Sequence, residues 1–377
     1  MIKYLGSKKQ LLPVLVEVVR SLSRRASVLD LFSGTSRVGH ALKREGYQVF
    51  SNDHNAYAHA LAVCYVQADA QRHLTQAQRL IAELNLLPGS YGYFTEHFCV
   101  QSSFFQPKNG ERVDAIREAI EAKDLDPELK AILLVSLMEA ADRVDSTAGM
   151  HMAYLKRWSP RSHNPLELRL PEILPAAACG PCKAFGLDAL EMAAQVEADI
   201  AYLDPPYNQH KYLGNYHIWQ TLVLWDKPPV YGMAHKRLDC KDQRSPFNSR
   251  RLALPSLQAL VERVKAKHLI LSFSDEGHVT KAQVEALLVL RGKVLTLERD
   301  FRRYVGAQIG VYNPLGQKVG QATHLTNKEY IYVVSEEPPR ALRRAFGGPG
   351  LPRRASLSKA SVSPSPRAPV ARDRSAL

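Results

Sequence analysis

Residues 27–39 read SVLDLFSGTSRVG, a short apolar run followed by a turn of small residues and then by a helical stretch. Small residues at a strand–turn–helix junction let a ligand approach the backbone closely, and the start of the helix offers free N–H groups. As a dinucleotide fingerprint the turn is incomplete, because Ser36 replaces the second glycine of Gly-x-Gly-x-x-Gly. The stretch therefore predicts an α/β unit, and its turn either holds a nucleotide-type ligand or binds nothing.

A second apolar run follows at residues 47–53 (YQVFSND) and ends in an acid, Asp53. An acid at the end of the second strand of a nucleotide-binding sheet is suited to bind the hydroxyls of a ribose. The plainer alternative is an exposed acid at a strand end. Two such strands in succession favour an open α/β sheet with its ligand at the carboxyl ends of the strands.

The tetrapeptide Asp204-Pro205-Pro206-Tyr207 directly follows a third apolar run, residues 199–203 (DIAYL). Prolines have no N–H group to donate, and their fixed φ holds the neighbouring carbonyls in set directions. These carbonyls and the Asp204 carboxylate can accept both protons of an amino group, while Tyr207 offers a face on which a flat ring can stack. The alternative is an ordinary exit from a strand, for which Asp-Pro-Pro is common.

Together with residues 3–8 (KYLGSK), these segments resemble the N6-adenine DNA methyltransferases of the Dam-like group, in particular the adenine-modifying enzymes of restriction–modification systems. That group places Tyr/Trp-x-Gly-x-Lys first, then Phe-x-Gly-x-x-x-x-Gly, then a target-recognition region and then Asp-Pro-Pro-Tyr. The order is the same here. Residues 140–144, 215–219 and 271–277 fit as well, so the resemblance covers most of residues 1–335.

The resemblance implies an α/β, Rossmann-like S-adenosylmethionine-dependent methyltransferase fold with an inserted, mostly helical target-recognition domain. The pattern along the chain fits, since probable helices at 111–123 and 126–144 interrupt the alternation of strands and helices. Apolar runs after the insert predict further strands, at 199–203, 268–273, 293–297 and 329–334. We expect a methyltransferase domain in two pieces, residues 1–60 and 183–335. Residues 61–182 would form the insert, and residues 336–377 would form a disordered basic tail.

The resemblance also assigns roles to single residues. The amine and the ring of the target adenine would be held by Asp204, Pro205, Pro206 and Tyr207. The cofactor, S-adenosylmethionine, would be bound by Tyr4, Gly6, Lys8, Asp30, Phe32, Gly34, Asp53 and Asp188. Among these, Asp53 would hold the ribose hydroxyls and Asp188 the adenine amine of the cofactor. For both acids the alternative is a solvated carboxylate at the end of a strand.

Recognition of duplex DNA, the expected partner, would fall to the insert. Side chains that can read base edges in the major groove include Arg, Lys, Asn and Gln. Candidates in the insert are Lys108, Asn109, Arg112, Arg143, Lys156 and Arg157. For each of them the alternative is a solvated or phosphate-positioning side chain. The resemblance leaves open both a modification enzyme with a separately acting restriction endonuclease and a solitary or phage methylase.

Five cysteines make an odd set that suits reduced thiols. Residues 179–182 (CGPC) spell a redox-type tetrapeptide, but they lie deep in the chain, and no second ligand pair for zinc stands out. Methyl transfer to an amine requires neither a catalytic cysteine nor a metal. We therefore expect a proline-bearing turn with two free thiols and no metal site.

The formal net charge of +13 suggests a polyanionic partner, although its distribution matters. Residues 340–377 hold nine Lys/Arg and one acid, which is a net charge of +8, so the remaining +5 belongs to residues 1–339. The body of the protein is thus only mildly basic. Since the sequence contains neither an 18-residue apolar run nor a signal peptide, we expect a cytoplasmic protein without a membrane segment.

Two kinds of alternative function stay open at this stage. RNA adenine and protein glutamine methyltransferases use a similar amine-gripping turn, usually with Asn in first place, and cytosine N4 enzymes usually carry Ser there. Asp204 and the order of the motifs favour adenine in DNA. The other alternative is a catalytically idle DNA-binding module, and the intact Asp204, Tyr207, Asp53 and Gly34 argue against it.

Overall fold

A computed structural model describes residues 1–302, 311–312, 318–320, 326–339 and 342. Its centre is a seven-stranded sheet. The strands are β1 (Ser27–Asp30), β2 (Gln48–Asn52), β3 (Lys183–Phe185), β4 (Glu197–Leu203), β5 (Lys265–Ser274), β6 (Lys293–Arg302) and β7 (Thr326–Ser335). The predicted tail, residues 336–377, lies outside the described residues except for 336–339 and 342.

The strand order is β3-β2-β1-β4-β5-β7-β6, and β7 runs antiparallel to both of its neighbours. The pairs from β3 to β5 are parallel, with Ser27 opposite Gln48 and Val28 opposite Ile200. This arrangement confirms the predicted α/β, Rossmann-like methyltransferase fold. The order reverses between β1 and β4, and the crevice at such a reversal is where open α/β sheets bind their ligands.

Helices cover both faces of the sheet, and the central strands are therefore buried on both faces, which agrees with their apolar sequence. Val28 and Leu29 of β1 are fully buried, as are Ile200 and Ala201 of β4. Their side chains point alternately to two separate apolar cores, one on each face. The buried strands predicted from the sequence are found at these places.

Ten helices are labelled here in chain order. They are α1 (Leu12–Leu22), α2 (Arg37–Arg44), α3 (Ala56–Ala62), α4 (Ala70–Asn85), α5 (Pro107–Glu121), α6 (Pro127–Val144), α7 (Ala189–Gln195), α8 (His217–Leu224), α9 (Ala253–Arg263) and α10 (Lys281–Leu288). Shorter helical turns lie at Lys8–Gln10, Val63–Gln67, Tyr93–Thr95, Glu96–Val100, Pro160–His163, Tyr212–Asn215, Asp239–Asp242 and Pro246–Asn248. Two-stranded ribbons pair Val230–Tyr231 with Lys236–Arg237 and Val311–Tyr312 with Lys318–Gly320.

The two helices expected in the insert are present as α5 and α6. Helix α6 begins as the sequence indicates, because the Asp126 side chain accepts the backbone N–H groups of Glu128 and Leu129. Helix α5 begins four residues earlier than predicted, at Pro107, since proline is well tolerated in the first turn of a helix.

A third apolar core lies within this helical part. It contains residues of α3 to α6 together with side chains that follow β4, among them Tyr216 and Trp219. The guanidinium of Arg117, 1% exposed, donates to the carbonyl oxygens of Leu222 and Val223 at the end of α8. The helical core therefore includes chain beyond residue 182, while the division into domains stays a prediction.

The segment 179–182 is a turn that leads into β3. Gly180 has φ +136°, and Cys182 is buried with its sulfur 3.3 Å from the Val49 nitrogen, whose N–H it accepts. Burial raises the pKa of the Cys182 thiol above its ordinary value. All five cysteines are free. In the described part of the chain, no helix combines the length and the apolar character that crossing a membrane requires.

Candidate active site

Three acids meet at the carboxyl ends of neighbouring strands: Asp30 at the end of β1, Asp53 after β2 and Asp204 after β4. All three line one cavity of about 350 Å³ at the reversal of strand order. Ten of the residues assigned to cofactor or catalysis from the sequence line this cavity: Tyr4, Gly6, Lys8, Asp30, Phe32, Gly34, Asp53, Asp188, Asp204 and Pro206. Pro205 is buried behind the wall.

Tyr207 lies beside this wall and is partly buried. Its ring centroid is 5.8 Å from that of Phe273 and 5.9 Å from the Lys8 ammonium, and its carbonyl accepts the backbone N–H of His278 at 2.7 Å. Burial raises the pKa of the Tyr207 hydroxyl to about 12. The ring is thus fixed near Asp204 by contacts on several sides.

The turn after β1 fixes Asp53. The Gly34 N–H donates to Asp53 Oδ2 at 3.1 Å, and the backbone and side-chain N–H groups of Asn55 donate to Oδ1 at 2.9 and 3.0 Å. Gly34 has φ +51°, and a Cβ there would lie 3.3 Å from the ring of Tyr4. Glycine is therefore required both by the left-handed backbone and by the close approach of Tyr4.

Asp30 is 1% exposed, and its two oxygens differ. Oδ2 accepts the Gly39 N–H at 3.1 Å, whereas Oδ1 is buried without a hydrogen-bond partner among the described residues. Burial and the nearby carboxylates of Asp204 and Asp53 raise the pKa of Asp30 to about 7. A buried acceptor without a partner at the cavity wall is suited to a cationic or N–H-bearing ligand.

Asp188 occupies the N-cap of α7, where its Oδ1 accepts the Leu190 N–H at 2.8 Å. It also lines the cavity. Phe32 adds an apolar wall and makes an edge-to-face contact with Phe247, with ring centroids 5.5 Å apart and planes at 84°. These groups suit S-adenosylmethionine, which combines a cationic end, ribose hydroxyls and a flat heterocycle.

Lys8 lies between two carboxylates rather than at a solvated helix start. Its ammonium is 3.1 Å from Asp204 Oδ1 and 3.4 Å from Glu329 Oε2. Lys8 and Glu329 are each 7% exposed, and the Asp204 side chain is 18% exposed. Burial alone would lower the pKa of Lys8, but the two carboxylates outweigh it and hold this pKa well above its ordinary value. Burial raises the pKa of both acids, and Lys8 opposes that rise.

The N-terminal segment is held against the chain that follows the tetrapeptide. The ring of Tyr4 stacks between those of Tyr212 and Tyr216, with centroid distances of 5.3 and 4.6 Å. The Tyr216 hydroxyl accepts the Leu5 N–H at 2.6 Å, and a Cβ on Gly6 would lie 3.1 Å from the Tyr212 oxygen. The KYLGSK segment thus depends on a glycine and on two distant tyrosines.

Sequence reasoning missed several residues of the cavity. Lys211, Tyr212 and the segment 243–248 line the cavity and were not assigned. Glu329 in β7 was not assigned either, and it reaches the site through its ion pair with Lys8, which lines the cavity. Asn248 fixes this segment, since its side-chain amide donates to the carbonyls of Asn208 and His210 at 2.7 and 3.1 Å. Within the segment, only the buried Phe247 in an otherwise polar stretch offered a signal.

Two of the predicted DNA contacts have their polar groups bound inside the protein. Asn109 is 1% exposed, and its amide bonds to the backbone of residues 162, 164 and 166. The Arg112 guanidinium donates to the carbonyls of Leu84, Asn85 and Leu87 at the end of α4. These contacts give both side chains a structural role, and their part in DNA binding stays a prediction.

The four other candidates differ in their surroundings. Lys108 donates to the His163 carbonyl, and Arg143 to that of Glu167, both at 2.6 Å. Lys156 and Arg157 lie on the exposed loop after α6. This exposed loop thus carries two cations of the predicted set.

Comparison with known proteins agrees with this geometry. The family described as D12 class N6 adenine-specific DNA methyltransferases matches residues 4–278. The type II methyltransferase M.NlaIII of Neisseria lactamica is 29% identical over 339 residues, which cover 87% of this chain and 99% of that protein. The type II methyltransferase M.FokI of Planomicrobium okeanokoites is 30% identical over 308 residues, 77% of this chain and 47% of that protein.

A third relative, the modification methylase StsI of Streptococcus sanguinis, is 29% identical over 302 residues, 76% of this chain and 46% of that protein. This chain thus aligns with nearly all of M.NlaIII and with about half the length of the other two. The family match runs from residue 4 to residue 278, so it includes every described residue that lines the cavity. The chain belongs to the D12 class N6 adenine-specific DNA methyltransferases.

Proposed function

We propose that this protein is a site-specific methyltransferase that modifies N6 of an adenine flipped out of duplex DNA, with S-adenosylmethionine as methyl donor. The observation that carries the proposal is the meeting of Asp204 with Asp30 and Asp53 at one cavity. An acceptor for an amine and acceptors for a cationic nucleoside then share a single chamber of about 350 Å³.

The cofactor side of the cavity would hold S-adenosylmethionine through its polar groups. Asp53 accepts ribose hydroxyls, Asp188 accepts the adenine amine, and the partnerless Oδ1 of Asp30 faces the cationic end. Gly34 and Gly6 keep the backbone close to the ligand. When bound, S-adenosylmethionine supplies an activated methyl group on a sulfonium sulfur.

On the target side, the tetrapeptide activates the amine. The lone pair of an adenine amino group is delocalised into the ring, which makes its nitrogen a poor nucleophile. Asp204 and the Pro205 carbonyl accept hydrogen bonds from the two N–H groups, which moves the nitrogen towards tetrahedral geometry and localises the lone pair. Once it has taken the methyl group, the nitrogen is cationic and becomes neutral again by releasing one proton along its hydrogen bond to Asp204. The Tyr207 ring supports the flipped base, so most of the catalysis is positioning and electrostatics.

Lys8 and Glu329 add a step to this scheme. An Asp204 oxygen that binds the Lys8 ammonium is less able to accept from an incoming amine. Because Glu329 lies 3.4 Å from the same ammonium, it can keep the cation when the amine arrives. In our proposal, Glu329 is thus a positioning residue that leaves Asp204 available to the target, and Lys8 acts on Asp204 more than on the cofactor.

The relatives' names support a role in DNA modification. They are called type II methyltransferases or modification methylases. We propose that this protein modifies a short DNA site in the cytoplasm and that a cognate restriction endonuclease, acting separately, cuts the unmodified site. Recognition falls to the loop that carries Lys156 and Arg157, together with neighbouring chain at the mouth of the cavity.

A direct experiment tests the reaction. The purified protein is incubated with duplex DNA and S-adenosylmethionine that carries a labelled methyl group, and modified positions are located by sequencing. We expect N6-methyladenine within one short recurring sequence. Label in RNA, in protein glutamine or at cytosine N4, with none in DNA adenine, would contradict the proposal.

A further inference from the structure

The ribbon of Val230–Tyr231 and Lys236–Arg237 lies outside the set of residues that line the cavity. It ends in a tip, residues 232–235, at which Met233 is 81% exposed. Gly232 and His235 have φ angles of +68° and +48°, and a Cβ on Gly232 would meet nothing within 4 Å. The tip therefore projects from the protein surface and presents a large apolar side chain to solvent.

The base of this ribbon is held firmly. Arg237 is 3% exposed, and its guanidinium binds both oxygens of Asp226 at 2.7 Å and Asp239 at 3.0 Å. His217, fully buried, lies with its Nε2 2.8 Å from the Ala234 carbonyl oxygen. A bidentate ion pair at the base and a buried contact to the tip itself fix the direction in which the tip points. Such anchoring is expected where an exposed side chain must act at a defined place.

The ribbon lies close to the chain that forms the cavity wall. The Lys236 ammonium is 3.0 Å from the sulfur of Met152, and it is the nearest atom, at 3.9 Å, to a Cβ built on Gly214. Gly214 directly follows Leu213, which lines the cavity. Only five residues separate Arg237 from Gln243, where the segment 243–248 begins to form the cavity wall. Through Lys236, the ribbon thus neighbours both the loop after α6 and the chain next to the cavity wall.

The surroundings of the tip are both cationic and apolar. Exposed cations lie on the loop (Lys156 and Arg157), against the ribbon (Lys241, 4.3 Å above the ring of Tyr231) and at the cavity mouth (Arg244). Exposed apolar side chains on the loop are Met152, Leu155 and Trp158. Cations suit phosphates, and apolar side chains such as methionine can wedge between base steps of a duplex.

We propose that this ribbon enters the DNA next to the target adenine and that Met233 occupies the space beside the flipped base. The inference rests on the proposed function, because it assumes that the occupant of this surface is duplex DNA. Taking a paired base out of the stack costs a few kcal/mol, and a side chain that fills the gap reduces this cost.

The test compares Met233→Ala with Met233→Leu, and it uses Leu290→Ala as a matched control. Leu290 is also apolar and exposed, at 76%, but it lies just after α10 and does not line the cavity. Base flipping is followed by the fluorescence of 2-aminopurine at the target position, and methyl transfer by single-turnover kinetics. Substrates carry the target adenine in a normal pair or opposite an abasic site.

For Met233→Ala we expect the fluorescence gain to fall and transfer to a paired adenine to slow by roughly tenfold or more, on the scale of the flipping cost. Opposite the abasic site, where little unpairing is needed, this variant should match the wild type. Met233→Leu and Leu290→Ala should stay near wild type on both substrates.

Wild-type rates for Met233→Ala on the paired substrate would overturn the inference while leaving the proposed function intact. An equal loss on both substrates would also overturn it, since it would assign Met233 to affinity rather than to flipping. A wild-type protein that methylates neither substrate would instead contradict the proposed function.

Discussion

The ammonium of Lys8 lies 3.1 Å from Asp204 Oδ1, so the acid assigned to the target amine is paired with a cation inside the protein. A charged partner of this kind keeps a buried carboxylate ionised, which suits a group that must accept N–H protons. The same partner competes with the target for that carboxylate. The balance between these two effects determines how readily Asp204 can accept a hydrogen bond from the target amine.

Asp204→Ala should slow methyl transfer by a factor of roughly 10² to 10³, the loss seen when one preorganised electrostatic group is removed from an active site. Binding of S-adenosylmethionine should survive, because Asp53, Asp188 and Gly34 are unchanged. Single-turnover kinetics and a cofactor titration measure the two quantities separately. Tyr207→Phe is the matched control and should keep much of its activity, since the ring face supports the base. Transfer at the wild-type rate by Asp204→Ala would remove the tetrapeptide from the mechanism.

Glu329→Gln should slow the transfer step by about tenfold while leaving cofactor affinity near its wild-type value. The neutral amide cannot draw the Lys8 ammonium away from Asp204, which then stays blocked; one lost charged contact is worth roughly 1.5 kcal/mol. Glu298→Gln is a suitable control, because Glu298 pairs with Lys281 and Lys328 away from the cavity. If Glu329→Gln weakens cofactor binding and leaves the transfer rate unchanged, Glu329 belongs to the cofactor site.

Asp30→Asn should change how stability depends on pH. The pKa of Asp30 is raised to about 7 by burial first and by neighbouring carboxylates second, so the folded protein binds this proton more tightly than the unfolded chain does. Wild-type stability therefore falls as pH rises from the ordinary pKa of aspartate to about 7, and the neutral variant avoids this loss. The gain in the free energy of unfolding should grow over this window and level off above it, reaching at most about 4 kcal/mol.

The matched variant for this experiment is Asp199→Asn, which should show the opposite sign. The Ser27 N–H and hydroxyl both donate to Asp199, which lowers the pKa of this carboxyl. Its stabilising effect is present above the ordinary pKa and is lost as pH falls, so the variant should lose stability near neutrality and less in acid. Urea unfolding between about pH 2 and 8 measures both curves, because the Asp199 effect is lost only below the ordinary pKa of aspartate. Parallel curves for wild type and Asp30→Asn would show that Asp30 does not titrate in this window.

Asn109→Ala and Arg157→Ala should separate folding from DNA contact. Removing the buried Asn109 amide leaves the backbone groups of residues 162, 164 and 166 without their partner. Each buried group that stays unsatisfied lowers the free energy of unfolding by roughly 1–3 kcal/mol. The DNA affinity of the folded Asn109→Ala variant should not change.

Arg157→Ala should keep its thermal stability and weaken DNA binding. One lost phosphate contact should reduce the slope of log affinity against log salt concentration by about one. The reverse pattern would restore Asn109 as a DNA contact.

The sheet was predictable because its central strands are short apolar runs that end in recognisable turns, as at Asp30 and Asp204. Which residues far apart in sequence lie close together in space was not predictable. Glu329 follows Lys8 by 321 positions, and no local pattern marks it as that lysine's partner. The type of residue alone also does not reveal that the Asn109 amide donates to carbonyls more than 50 positions away.

The hydrogen bonds from Arg117 to the end of α8 determine which segments could be exchanged between this enzyme and its relatives. Its bonds reach across 105 and 106 positions, from the middle of α5 to chain on the far side of the tetrapeptide. A cassette cut at residues 61–182 would leave that buried cation without its carbonyls and would strip Tyr216 and Trp219 from the helical core. A working exchange of DNA specificity therefore has to carry residues 212–225 along with the insert, as a transplant of two pieces.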